Sequence, residues 1–168
     1  MFETTIHWVR HVEPQRLGLT ARPRGGEGLA REVEGWNKAS VNVVVSLLES
    51  HEIREMELEA EGPLCAAQGI EFMRFPIPDR GTPASAREAA TFVADLHARL
   101  VAGQAILVHC RAGIGRTGLI AACLLSDLGV PAPDLFHVLS RARGMAMPDT
   151  NAQIQWVEAR CAAKSAPA

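Results

Sequence analysis

The run Val41-Asn42-Val43-Val44-Val45-Ser46-Leu47 is apolar at almost every position. That pattern predicts a strand in the middle of a sheet, covered on both faces. Ala105-Ile106-Leu107-Val108 has the same character, and Ile70-Glu71-Phe72-Met73-Arg74-Phe75 alternates, predicting a strand with one better-buried side. Two shorter strands are expected over residues 5–9 and 17–21, around a turn at Glu13-Pro14-Gln15. Helical patterns fill the intervals. Residues 27–39 place Leu29, Val33 and Trp36 on one face; residues 85–102 do the same with Ala89, Phe92, Val93, Leu96, Leu100 and Val101, between a Ser85/Glu88 capping box and a stop at Gly103. Residues 49–61 are acidic and helix-prone and read as a solvated face, with a further short helix over 63–68 closed by Gly69. Leu119 to Leu125 is apolar throughout and predicts a buried helix. Pro133-Asp134 opens another, with Leu135, Val138 and Leu139 buried, that closes near Arg143-Gly144. A last helix, capped by Asp149 or Thr150, carries Ile154, Trp156 and Val157. Strands alternating with helices predict an α/β domain: a central, mostly parallel sheet of about four or five strands with helices on both faces. The functional site is then expected at the strand C-termini.

Length and charge narrow the function classes. With 168 residues the chain is long enough for one domain, expected over residues 1–163 and followed by a short Ala/Ser/Pro tail at 164–168 that frays. A net charge of −2 gives no support to nucleic-acid or membrane-surface binding through bulk charge. The first residues lack a basic segment followed by a long apolar one, and no stretch approaches the length of a membrane span. A cytoplasmic monomer is the expectation. The four cysteines, Cys65, Cys110, Cys123 and Cys161, show no paired spacing for zinc, and a free thiol suits a reducing compartment.

Candidate chemistry concentrates between residues 109 and 118. His109-Cys110-Arg111-Ala112-Gly113-Ile114-Gly115-Arg116-Thr117-Gly118 joins the strand ending at Val108 to the helix beginning near Leu119. A strand, a Gly-rich loop and a helix N-terminus together make a phosphate cradle, because loop N–H groups and the first-turn donors can all point inward. Arg111, Ala112, Gly113, Ile114 and Gly115 would supply that cradle, and Arg116 adds a planar fork of donors matched to two phosphoryl oxygens. A cysteine at Cys110 loses its proton readily in such a setting. The Thr117 hydroxyl lies within reach of its sulfur. Upstream, Phe75-Pro76-Ile77-Pro78-Asp79-Arg80-Gly81-Thr82-Pro83 can be neither helix nor central strand and reads as a shaped loop presenting Asp79. Phosphoryl transfer to a thiolate needs the leaving oxygen protonated as it departs, and a carboxylic acid above the cradle can do this. Pro-Asp-Arg-Gly is also an ordinary turn former. Arg22 and Arg24, in a loop, could meet phosphate but more simply face solvent.

His-Cys, five residues, Arg-Thr resembles the signature of the cysteine-dependent protein tyrosine phosphatase superfamily, and the surroundings of Pro78-Asp79 look closer to its small dual-specificity-like members than to the Trp-Pro-Asp form. The resemblance implies a phosphatase working through a phosphocysteine intermediate, with Cys110 as nucleophile and Arg116 as oxyanion clamp. It implies Asp79 as general acid and then base, with Asp149 the next candidate. His109 would hold the loop and keep the thiol ionised, and Thr117 would stabilise the departing thiolate. Gln153, with Gln155 competing, would place the hydrolytic water. No metal or other cofactor is expected, since loop and Arg116 supply the charge. A thiol partner protects the nucleophile in some relatives, which makes Cys65 a candidate; Cys123 reads as core. The expected substrate is a protein carrying phosphotyrosine, with phosphoserine and phosphothreonine admitted, because no tyrosine-containing recognition loop is present. Phosphoinositide, inositol phosphate and RNA 5′-phosphate are the alternative substrates. Ala112 and Ile114 stand where lipid phosphatases of the superfamily carry lysines. A phosphate-binding module with little turnover is the reading from another class.

Overall fold

A computed structural model describes residues 4–167. Five strands form one sheet in the order β1-β2-β5-β3-β4: β1 (His7–Trp8), β2 (Arg16–Thr20), β3 (Val43–Ser46), β4 (Glu71–Arg74) and β5 (Ala105–His109). The β1–β2 pair is antiparallel and every other pair is parallel. The expected α/β architecture is therefore present, with β5, the strand that delivers Cys110, at its centre.

Alternate residues of the central strands divide between two apolar layers, as the two-residue side-chain period requires. Val44 and Leu107 pack under α1 (Leu29–Lys38), α2 (Ser50–Glu55) and α3 (Glu61–Ala67) through Leu29, Trp36, Ile53 and Cys65. Val43, Val45, Ile106 and Val108 face the other way, toward α4 (Ala86–Val101), α5 (Gly115–Asp127), α6 (Leu135–Arg143) and α7 (Asn151–Ser165). Every residue of α5 from Gly115 to Leu125 is buried: Leu119 to Leu125 follow from their unbroken apolar run, whereas Arg116 and Thr117 are polar residues buried in the first turn. This helix anchors the loop that precedes it.

Four sequence expectations need correction. Residues 49–61 do not form one solvated helix: the chain breaks after α2, with Glu57 at φ 53°, and restarts at α3. Glu52 and Glu61 are buried, because each has a cationic or polar partner inside the protein. Val101 is 58% exposed, being the last residue of α4 and one position beyond the buried stripe that ends at Leu100. The final helix runs through Ser165, past the expected start of a fraying tail, and Lys164 and Arg160 both pair with Asp127 of α5. Among the described residues no helix is long and apolar enough to cross a membrane.

Candidate functional site

The site is assembled where β5 gives way to α5. Cys110 is 2% exposed, and its sulfur accepts a hydrogen bond from the Thr117 hydroxyl at 3.1 Å. Residues 111–114 form the loop, and its curvature depends on Gly113. That residue sits at φ +71°, and a Cβ there would meet the Thr20 carbonyl oxygen at 2.3 Å, so β2 and the loop can approach only without a side chain. Arg143, at the end of α6, holds the loop's outer rim by donating from Nη2 to the Ala112 carbonyl at 3.0 Å and from Nε to that of Gly113 at 3.2 Å. Carbonyls tied outward leave the loop N–H groups free to face an anion. His7 accepts from Arg143 Nη1 at 3.1 Å; burial and the Arg143 charge hold its imidazole below the ordinary value, which suits an acceptor.

Arg116, in the first turn of α5, is fixed by four hydrogen bonds. Nη1 donates to Glu52 Oε2 at 2.7 Å and to the Ile77 carbonyl at 3.0 Å; Nη2 donates to Glu52 Oε1 at 2.9 Å and to Asp79 Oδ1 at 3.0 Å. Glu52 engages the two terminal nitrogens and not Nε. Burial pushes the Glu52 carboxyl up, but hydrogen bonds from Arg116 and the Glu49 N–H, with the Arg116 charge, hold it below the usual carboxylate range. The same carboxylate closes the capping box of α2, so helix start and guanidinium share one anchor.

The segment after β4 is the shaped loop its prolines require. Ile77 is wholly buried and donates its N–H to Leu47, and a turn from Pro78 to Gly81 carries Asp79 between them. The turn-former and the acid presenter are thus one structure, with Asp79 half-exposed beside Arg116. Gln153, at the start of α7, is wholly buried. Its Oε1 accepts from the Asp149 and Thr150 N–H groups and its Nε2 donates to the Gly81 carbonyl. Gly115 packs so closely against it that a Cβ there would come within 2.9 Å of the amide. Gln155 is exposed on the same helix, so Gln153 is the glutamine brought to the site. Asp149 also borders Gly115, at 2.5 Å from the same notional Cβ.

His109 is wholly buried behind Cys110, its Nε2 2.6 Å from Glu61 Oε1. Sequence reasoning missed Glu52, Glu61 and Arg143. The first two belong to a run that looked like a solvated face, and nothing in their spacing marks them as inward. Of the arginines 22 and 24, Arg24 pairs with Glu32 on α1, while Arg22 and Arg111 line a polar cavity of about 420 Å³ beside the loop with Glu55 and Glu57. Cys65 and Cys123 are each pushed up to about 12, in both cases chiefly by burial, and neither is a thiolate at neutral pH.

A buried thiol accepting a hydroxyl hydrogen bond thus stands at the start of a Gly-containing loop, with a braced guanidinium in the helix that follows. Residues 18–129 match the family model described as Tc-R-P, polymorphic toxin system, DSP-PTPase phosphatase, and the chain belongs to that family. Protein 067L of Invertebrate iridescent virus 3, a candidate tyrosine phosphatase by name, is 41% identical over 58 residues, 33% of this chain. That match spans only 24% of the viral protein. The crystal structure of kinase associated phosphatase, KAP, with its catalytic-site cysteine replaced by serine, superposes with a TM-score of 0.87 at 22% identity over 99% of both chains. PTPMT1 in complex with PI(5)P gives 0.74 at 19% identity, over 96% of this chain and 99% of that one. At these identities the two structures share the fold.

Proposed function

We propose that the chain hydrolyses phosphotyrosine in proteins, and phosphoserine and phosphothreonine with it, through a phosphocysteine intermediate at Cys110. The observation that carries this reading is the Thr117-to-Cys110 hydrogen bond beside the Glu52-braced Arg116. The Cys110 thiolate attacks phosphorus; the sulfur–phosphorus bond forms as the bond to the leaving oxygen breaks. Loop N–H groups hold the equatorial oxygens together with Arg116, which presents Nε and also Nη2 once Asp79 lets go. Asp79, released from Arg116 and protonated from solvent, gives that proton to the leaving oxygen, then as carboxylate takes one from the water that attacks the phosphocysteine. Thr117 donates to the sulfur as the thiolate departs. To Gln153, tied to both the Asp79 loop and the start of α7, this reading gives the role of aligning that water.

PTPMT1 was seen with PI(5)P, so a phosphoinositide is the competing substrate. Against it stand Ala112 and Ile114, which bring no positive side chain into the loop, and the two glutamates that share the neighbouring cavity with Arg22 and Arg111. The test compares kcat/KM for phosphotyrosine peptide, phosphothreonine peptide and PI(5)P in the presence of chelator. The expected order places phosphotyrosine peptide first, with all turnover lost in Cys110→Ser. Preference for PI(5)P would overturn the protein assignment, and turnover that survives Cys110→Ser would overturn the mechanism.

A further inference from the structure

On the sheet face covered by α1 and α3, His109 stands between Thr20 and Ser46 in the strand register and close to the Trp36 ring, 6.3 Å between centroids. Its two ring nitrogens face two acceptors, the Glu61 carboxylate at 2.6 Å from Nε2 and the Cys110 carbonyl at 3.3 Å from Nδ1. A neutral imidazole has one N–H to offer, whereas an imidazolium has two. Four more buried polar atoms, Thr20 Oγ1, Ser46 Oγ, Trp36 Nε1 and Glu61 Oε2, have no protein hydrogen-bond partner among the described residues. Three of these atoms belong to Thr20, Ser46 and Trp36 beside His109, and the fourth to Glu61 itself, so the polar groups of this face gather around the pair. Burial pushes the imidazole down, but the Glu61 charge, its hydrogen bond and the Cys110 carbonyl more than offset this, with Arg116 opposing. The ionisable groups that face the ring are Glu61 from α3 and Arg116 from α5, beside Cys110 itself.

We propose that Glu61 is a positioning residue for the phosphatase reaction, holding His109 as an imidazolium whose charge, next to Cys110, keeps the nucleophile in its thiolate form. The pair sums to zero, yet it is oriented. Its positive end lies on the residue adjoining Cys110 and its negative end is withdrawn into α3, where it also adds to the inertness of Cys65. A glutamate from the acidic run that reads as a solvated face thus meets His109 on the α3 side of the sheet, at the back of the site. The inference rests on the reading of Cys110 as nucleophile.

The experiment needs no phosphatase substrate. Alkylation of Cys110 by iodoacetamide is followed across pH by mass spectrometry in the full chain, in Glu61→Gln and in Glu61→Asp. The pH midpoint should rise by about one unit in Glu61→Gln, with labelling at mildly acidic pH falling about tenfold, and Glu61→Asp should recover most of the loss. A Glu61→Gln protein with the native midpoint overturns the proposal. Should that variant not fold, the ¹⁵N resonances of His109 in the native chain decide: both ring nitrogens protonated at neutral pH supports it, and a neutral tautomer overturns it. A native Cys110 labelled no faster than an ordinary thiol at mildly acidic pH overturns this inference and the nucleophile reading together. Fast native labelling that Glu61→Gln leaves unchanged overturns the inference alone.

Discussion

Arg116 and Glu52 meet as a two-pronged, fully buried ion pair, at 2.7 and 2.9 Å, across 64 residues of chain. Removing one partner strands the other charge inside the protein, at a cost of about 3–5 kcal/mol. Glu52→Ala is therefore expected to lose that much stability in urea unfolding and to lose activity with it. Glu52→Gln keeps the shape without the charge. Because the folded-state Glu52 carboxyl lies below its ordinary value of 4.5, its contribution to stability is present above that pH and lost as pH falls through the folded value. The acid limb of the stability profile should flatten in Glu52→Gln; an unchanged limb would count against this pairing.

Asp79 is tied to Arg116 at 3.0 Å, the same guanidinium that the substrate phosphoryl group would claim. Asp79→Asn should slow hydrolysis of poor leaving groups by about 10²-fold or more, and good leaving groups far less. A series of aryl phosphates of graded leaving-group acidity checks this. Equal loss across the series would shift the acid to Asp149, which also borders Gly115.

Arg143 holds the loop by two carbonyls on its outer side. Arg143→Ala should lower kcat/KM about tenfold or more, the scale of losing hydrogen bonds from a charged donor. Lysine lacks the fork and should not rescue it. Steady-state kinetics of both variants on one phosphopeptide measure the effect, and wild-type values for Arg143→Ala would remove the residue from the account.

How much of this was legible follows from what kind of signal each residue leaves. Cys110, Arg116 and Thr117 sit at fixed spacing between an apolar strand and an apolar helix, so motif and context agree, and the structure brings the three together. Asp79 was visible through its prolines, which force a shaped loop. The residues that brace the site were not. Glu52 and Glu61 lie in a run whose composition resembles a solvent face, and only the tertiary partners Arg116 and His109 make their burial favourable. The break at Glu57 has no glycine or proline to announce it. Arg143 looked like a helix-terminal cation; its role depends on where the 111–114 loop falls against α6. Gln153 was separated from Gln155 only by helix phase, which turns one inward and the other out.

The measurement closest to the central claim is rapid acid quench during turnover of a phosphotyrosine peptide, followed by peptide mapping in the native chain and in Asp79→Asn. Phosphate should be found on the peptide containing Cys110, should build up more slowly in Asp79→Asn, which cannot protonate this poor leaving group, and should be absent in Cys110→Ser. Phosphate on another residue, or continued turnover with no phosphorylated peptide in either protein, would contradict the phosphocysteine route.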